Sequence, residues 1–423
     1  MPRRIVYIFL CLFGIFLFSH LMIYQLLQDE EETSTEGFNP DAVAILLWWT
    51  PFMPQERNKT CEKCKCLLTA DRKYLAHPHL KAVLFYGSSV DPDDMPPRGS
   101  AVWGLFHEES PRNVPLLSHA ATLSLFNYSS TFSRHSNLPL TLQFLPSLHL
   151  LTSKRFFKTN QEKQNFRSSL GLVMYLQSDC STPNNRDSYV AELMKYVQVD
   201  SYGACLNNRN ISIDLKEPLE TMMSDSLMEL VSQYKFSIAI ENAICDDYIT
   251  EKLWRPLIVG SVPLYIGSPS VKDWLPNSGT VILPVDFKSP EELSKHLLYL
   301  DSNEDAYNNY LTHKLEGTVT NLLLKESFIP LWPDDSLGVI DDFECLMCQK
   351  IHSSNSEQSI VSTAHYDCPQ PTSILSGKHN ASNWWHSDYT RSACEATAFR
   401  DFIISKNNIH DKFSSNYKSI ENC

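Results

Sequence analysis

Residues 234–267 read YKFSIAIENAICDDYITEKLWRPLIVGSVPLYIG. The apolar run Phe236–Ile240 has the length of a strand and stops at a polar pair, Glu241-Asn242. A loop follows, and then a helix opening at or near Thr250 with Glu251 and Lys252 in its first turn. A second apolar strand, Val262–Ile266, comes after it. The unpaired backbone N–H groups and the dipole of such a helix start attract phosphate. The same dipole disfavours a cation there. A lysine held where it is locally unfavourable suggests an anionic ligand; the plainer alternative is a surface lysine paired with Glu251.

Outward from this stretch, strand and helix alternate. Leu170–Gln177, Val197–Tyr202 and Thr280–Leu283 have strand character, and Tyr189–Val197 carries apolar residues at helical spacing. Pro290–Leu300 is a predicted helix, with proline near its start and Glu291 and Glu292 in the first turn. The alternation implies a parallel sheet covered on both faces, with ligands beyond the carboxyl ends of its strands. The first half holds further predicted strands at Val43–Trp49, Ala82–Tyr86, Val102–Phe106 and Thr122–Phe126, separated by turn-rich segments such as Ser88–Gly99. Two consecutive α/β units with a cleft between them are expected. Near Asp341 the chain changes character. Cys345-Leu-Met-Cys348 leads into a Ser/Thr/His/Asn-rich tail containing Trp384-Trp385, read as an extension strapped onto the body, with both tryptophan pairs (the other is Trp48-Trp49) serving packing.

The chain has 423 residues, enough for two domains of ordinary size, and its 43% hydrophobic content excludes a disordered chain. A net charge of −13 argues against general affinity for nucleic acid or anionic membranes. Arg3 and Arg4 precede an apolar run from Ile5 to Leu27, long enough to span a bilayer core of roughly 30 Å, and Asp29–Glu32 follow it. The charge bias puts the amino terminus in the cytosol and the body in the lumen. A cleaved signal peptide is the competing reading, but the run is long for one and Tyr24–Leu27 offers no small-residue cleavage site. The expected organisation is a cytosolic tail (1–4), a signal-anchor transmembrane helix (5–27), a short stem (28–40), α/β domains at 41–169 and 170–340, and the extension at 341–423. Of twelve cysteines, Cys11 lies in the span, which leaves an odd number for the lumenal body. Disulfides, rather than zinc, are expected for Cys61, Cys64, Cys66, Cys345 and Cys348 in an oxidising compartment. Asn58, Asn127, Asn210 and Asn380 each begin a glycosylation acceptor triplet.

The 234–267 segment resembles the donor-binding motif of the α1,3-fucosyltransferase family: strand, Phe-Glu-Asn, short loop, Asp-Tyr-(Val/Ile)-Thr-Glu-Lys, Val-Pro and Gly. Ile240 stands where the family has Phe. Phe106–Pro111 resembles the family's Glu-Ser-Pro segment, Leu125–Ser136 a Phe-Asn stretch containing Arg134, and Gln177–Arg186 a segment whose arginine binds donor phosphates. Cys345-Leu-Met-Cys348 matches paired cysteines near the family's carboxyl end. Phe-His-Glu-Glu-Ser-Pro, Gln-Ser-Asp-Cys and Val-Asp-Ser-Tyr-Gly-x-Cys (199–205) are most similar to a divergent animal branch, associated with fucosylating Ser/Thr of small cysteine-rich (EMI-type) domains.

The resemblance implies two Rossmann-like domains facing across a cleft (the GT-B arrangement). It implies GDP-fucose as donor, Glu109 as catalytic base, and donor binding by Arg186, Asn242, Tyr248, Glu251 and Lys252, with Arg134 and Glu241 in positioning roles. In the family the late cysteine pair bridges back to early cysteines; here two of the three early ones would do so. Inverting displacement of GDP needs a base for the incoming hydroxyl and positive charge on the leaving diphosphate. With Arg186 and Lys252 on the phosphates a divalent metal is dispensable, so no cofactor or metal is expected. The expected acceptor is a secreted or lumenal glycoprotein, at a Ser/Thr hydroxyl; the alternatives are a GlcNAc-containing glycan, the acceptor of the family at large, and a silent donor-binding protein. Endoplasmic reticulum or Golgi membrane is the expected location.

Overall fold

The sheet expected around residues 234–267 is present and all parallel. β7 (Val173–Gln177), β8 (Val199–Gly203), β9 (Phe236–Ile240) and β10 (Val262–Ile266) stand in the order β10-β9-β7-β8. The structure, a computed structural model, describes residues 43–50, 56–211, 221–329, 338–353, 359–379 and 383–416. The expected span at 5–27, the stem and Asn380 lie outside these. Everything described from Ile45 onward belongs to one compact unit.

β9 and β10 are buried at every position, as strands covered on both faces must be. Three helices cover them: α1 (Arg186–Leu193), α2 (Asp225–Ser232) and α3 (Glu251–Val259). A fourth, α4 (Pro290–Ser302), is capped by the Ser289 hydroxyl and has Glu291 and Glu292 in its first turn. Leu253, Trp254 and Leu257 of α3 join one core; Leu293, Leu297 and Leu300 of α4 join the other. Thr280–Leu283 is not a strand. Only Ile282 pairs, as an isolated parallel bridge to Leu264.

The first half forms a second sheet. β1 (Ala44–Trp48), β4 (Leu80–Tyr86), β5 (Val102–His107) and β6 (Tyr128–Thr131) run parallel in that order. A hairpin of β2 (Arg57–Cys61) and β3 (Cys64–Thr69) extends the β1 edge. β2 carries no apolar signal, since its solvent-facing positions on a sheet edge are polar. Thr122–Phe126 also departs from expectation: Ala120–Leu123 is a short helix, and the strand begins later, at Tyr128. A short apolar run cannot by itself choose between helix and strand.

The chain then returns to this first sheet. α5 (Gly338–His352) lays Phe343 and Met347 over Gly104 of β5, where a Cβ would come within 2.9 Å of Met347 Sδ. Glu344 on α5 is fully buried and accepts from Trp48 Nε1 at 2.9 Å and Arg57 Nη2 at 2.6 Å. Cys61–Cys345 and Cys66–Cys348 fasten the β2–β3 hairpin to α5, leaving Cys64 free and buried. Cys180–Cys205 closes the β7 and β8 ends, and Cys394 is also disulfide-bonded. The 22-residue helix α6 (Trp384–Ser405) puts Ala396, Phe399, Phe402 and Ile403 into the core of the first sheet.

The glycosylation triplets divide by burial. Asn58 and Asn210 are exposed. Asn127 is not available to a glycan in the folded chain. It is 5% exposed, and its Oδ1 accepts from Arg98 Nη2 at 2.8 Å and Trp103 N at 2.9 Å.

Candidate active site

The second sheet reverses strand order between β7 and β9, and a cavity of about 220 Å3 opens beyond the carboxyl ends of those two strands. Gln177, Arg186, Asn242, Glu251, Lys252 and Arg255 are among its lining residues. Arg186 is almost fully buried. Its Nη1 donates to Ile240 O at 3.1 Å and its Nη2 to Asp179 O at 2.7 Å, while Nε has no partner. An arginine held by backbone carbonyls, with no salt bridge to a carboxylate among the described residues, can offer its charge to a ligand.

Glu241 fixes the start of α3. Its two oxygens accept from Thr250 N at 2.8 Å and Thr250 Oγ1 at 2.7 Å. Burial pushes its carboxyl up, and Lys252 at 3.7 Å works against that. Gly267 permits this fit, because a Cβ there would sit 2.6 Å from Glu241 Cγ. Lys252 Nζ lies 3.2 Å from Glu251 Oε1 and 3.1 Å from Thr250 Oγ1. Desolvation alone would lower the Lys252 pKa; Glu251 and Glu241 outweigh it and hold the ammonium charged. Desolvation works against an ionised Glu251 as well, yet Lys252 and Arg255 bring its pKa down to about 2.

Glu108 and Glu109 point to different partners, as successive residues at a strand end do. Glu108 accepts from Tyr86 Oη at 2.8 Å, and burial raises its pKa. Glu109 Oε2 accepts from Tyr248 Oη at 2.9 Å, across from the second sheet. Next to it, Ser110 Oγ donates to Asn242 Oδ1 at 2.9 Å. Tyr366, from the segment after α5, donates to Glu109 O at 3.0 Å and bonds His107, whose pKa burial lowers to about 3.

Arg134 clamps the loop before α3. Its Nε donates to Asp247 Oδ2 at 2.8 Å, its Nη2 to Asp247 Oδ1 at 2.6 Å, and its Nη1 to Asp273 Oδ2 at 2.8 Å. Asp247 has a left-handed backbone (φ 62°), and the neighbouring Tyr248 is thereby held against Phe132. Cys245–Cys368 ties the same loop to the tail. The structure thus brings Arg186, Asn242, Glu251 and Lys252 to one cavity, and Glu109 to Tyr248 beside it. Arg134 and Glu241 are spent on holding backbone. Sequence reasoning missed Arg255, Tyr366 and Arg112. Arg255 was findable, since it lies three and four residues after Lys252 and Glu251 on one helix face.

Cations converging at a switch point, with a carboxylate from a second sheet alongside, define an enzyme that handles a phosphorylated donor. Residues 40–143 match the family described as fucosyltransferase, N-terminal, and residues 166–366 the one described as glycosyltransferase family 10 (fucosyltransferase), C-term. The chain belongs to glycosyltransferase family 10, the fucosyltransferases. It is 40% identical over 388 residues to GDP-fucose protein O-fucosyltransferase 3 of Canis lupus familiaris, covering 87% of this chain and 80% of that protein. The Homo sapiens protein of the same name is 40% identical, with 87% and 81% covered. A crystal structure of α1,3-fucosyltransferase with GDP-fucose matches with a TM-score of 0.43 at 18% identity, over 70% of this chain and 83% of that chain.

Proposed function

We propose that this chain transfers fucose, with inversion and without a metal ion, from GDP-fucose to a Ser/Thr hydroxyl of a folded cysteine-rich protein domain (EMI-type). The observation that carries the reading is the hydrogen bond from Tyr248 to Glu109 at the edge of the cation-lined cavity. The two sheets are read as Rossmann-like domains facing across a cleft in the GT-B manner. The acceptor oxygen attacks the anomeric carbon of fucose as the bond to the β-phosphate breaks. Glu109 takes the hydroxyl proton, while Arg186, Lys252 and Arg255 stabilise the departing diphosphate. Asn242 and Tyr248 orient donor and base, and Arg134 and Glu241 fix the loop that carries them. The two carboxylates that line the cavity are already engaged, Glu251 with Lys252 and Arg255 and Asp179 with Arg112, which favours cation rather than metal neutralisation.

The protein acceptor is supported by the name shared by the 40%-identical relatives. The disulfides and the apolar run at Ile5–Leu27 support a single-pass type II protein of the endoplasmic reticulum or Golgi membrane, with its body in the lumen. Labelled GDP-fucose is supplied with folded cysteine-rich domains and, separately, GlcNAc-terminated glycans, in excess EDTA. Label on Ser/Thr of the domains is expected. Label on glycans only, or transfer that requires added manganese or magnesium, overturns the reading.

A further inference from the structure

A second cavity, of about 80 Å3, lies beside the first, between the loop after Glu109, the loops after β7 and β9, and the tail. Pro115, Pro183, Pro371, Trp385 and Tyr389 give it an apolar, aromatic character, and Arg112 is its charged lining residue. Among the described residues lining it there is no carboxylate. Two of its donors are unused. Trp385 is 7% exposed and its Nε1–H has no acceptor, and the buried Arg112 Nε has none either. Neither group is loose. The Trp385 ring stacks on Trp384 with centroids 3.8 Å apart, and the Arg112 guanidinium carbon lies 5.3 Å from the Trp385 ring centre. Arg112 Nη2 donates to Asp179 Oδ1 at 3.0 Å, and Trp384 Nε1 donates to Ser181 Oγ at 3.0 Å. Buried donors are nearly always paired, so two unpaired ones in one cavity point to a ligand that supplies acceptors.

We propose that this cavity receives an extended segment of the acceptor polypeptide flanking the modified hydroxyl. Its backbone carbonyl oxygens accept from Trp385 Nε1 and Arg112 Nε, and an apolar side chain lies among the prolines and Tyr389. The proposal rests on the protein-acceptor reading above. A carbonyl only accepts, which matches two orphan donors. Sugar hydroxyls also donate, and the lining offers them no carboxylate. Aromatic-lined grooves suit extended backbone. The lining adjoins the catalytic edge: Arg112 follows Glu109 by three positions, and Ala243 of this cavity follows Asn242 of the other.

Trp385→Phe keeps a six-membered aromatic ring and removes the pyrrole ring with its N–H; Thr372→Phe fills the rim from a partly exposed position. Each full-chain variant is assayed for transfer to a folded cysteine-rich domain, with GDP affinity and thermal melting measured alongside. The expected result is an acceptor KM raised about tenfold by Trp385→Phe, the order of one lost hydrogen bond, and a similar or larger rise for Thr372→Phe. GDP affinity should stay within threefold. Wild-type transfer to the domain combined with acceptor KM values within twofold in both variants overturns the pocket alone. No wild-type transfer to any folded protein overturns the acceptor reading, and the pocket with it.

Discussion

At the scale of single residues, the proposed mechanism separates a proton acceptor, Glu109, from a set of cations. Lys252 and Arg255 sit one turn apart on α3, and both line the cavity proposed for the donor. Arg255 Nε donates to Met222 O at 2.7 Å and Nη2 lies 3.8 Å from Glu251, farther than the 3.2 Å of Lys252. Replacing either residue by Ala should raise KM for GDP-fucose on the order of ten- to a hundredfold, the range for hydrogen bonds to charged groups. Steady-state kinetics in GDP-fucose check this. A change below threefold for both would move the diphosphate away from α3. Arg134 predicts a different signature. Asp247 is 1% exposed on its side chain, and removing its partner leaves a buried charge. Arg134→Ala should cost about 3–5 kcal/mol of stability, measurable by denaturant unfolding. A loss under 1 kcal/mol would show that the clamp holds little.

Among elements, two buried lysines cap helix ends. Lys163 donates to Gly260 O, just past α3, and Lys314 donates to Leu150 O and Ser153 O at 2.8 Å. Burial lowers both to about 7. Above that pH the folded chain releases protons that the unfolded chain keeps until its ordinary lysine pKa near 10.4, so stability rises with pH across this window. Each lysine contributes up to about 1.4 kcal/mol per pH unit. Lys314→Met should therefore flatten the rise in melting temperature between pH 7 and pH 9. An unchanged slope would mean that Lys314 stays charged in the fold. The strands around Glu241 were legible because Phe236–Ile240 and Val262–Ile266 are uninterrupted apolar runs bounded by polar or glycine signals. Thr250 with Glu251 marked the helix start equally well. The β2–β3 hairpin was hidden because an edge strand reading Arg-Asn-Lys-Thr-Cys has no buried stripe to announce it. α6 was hidden for another reason: its core face, Ala396, Phe399, Phe402 and Ile403, covers only its second half, and its first half follows the loop at Ser181–Asn185. Tyr366 carried no local signal, since its partners His107 and Glu109 lie far back in the chain.

For the whole molecule, the disulfides have distinct jobs. Cys61–Cys345 and Cys66–Cys348 fasten α5 to the sheet on which it already rests. Cys245–Cys368 reaches from the second sheet's loop to the tail, three residues from Tyr248 and two from Tyr366. Both tyrosines hold Glu109. Replacing Cys245 and Cys368 together by Ala should cut kcat about tenfold or more and leave GDP affinity within threefold, because the donor cavity draws on other residues. Equal losses in both would assign the bond to general stability. In the proposed mechanism one sheet holds the donor while the other supplies the base. The most direct test is Glu109→Gln, with GDP-fucose binding measured by calorimetry and fucose transfer by single turnover. Binding should stay within threefold of wild type and transfer should fall about 100- to 10,000-fold. Transfer within a few-fold of wild type would contradict this mechanism.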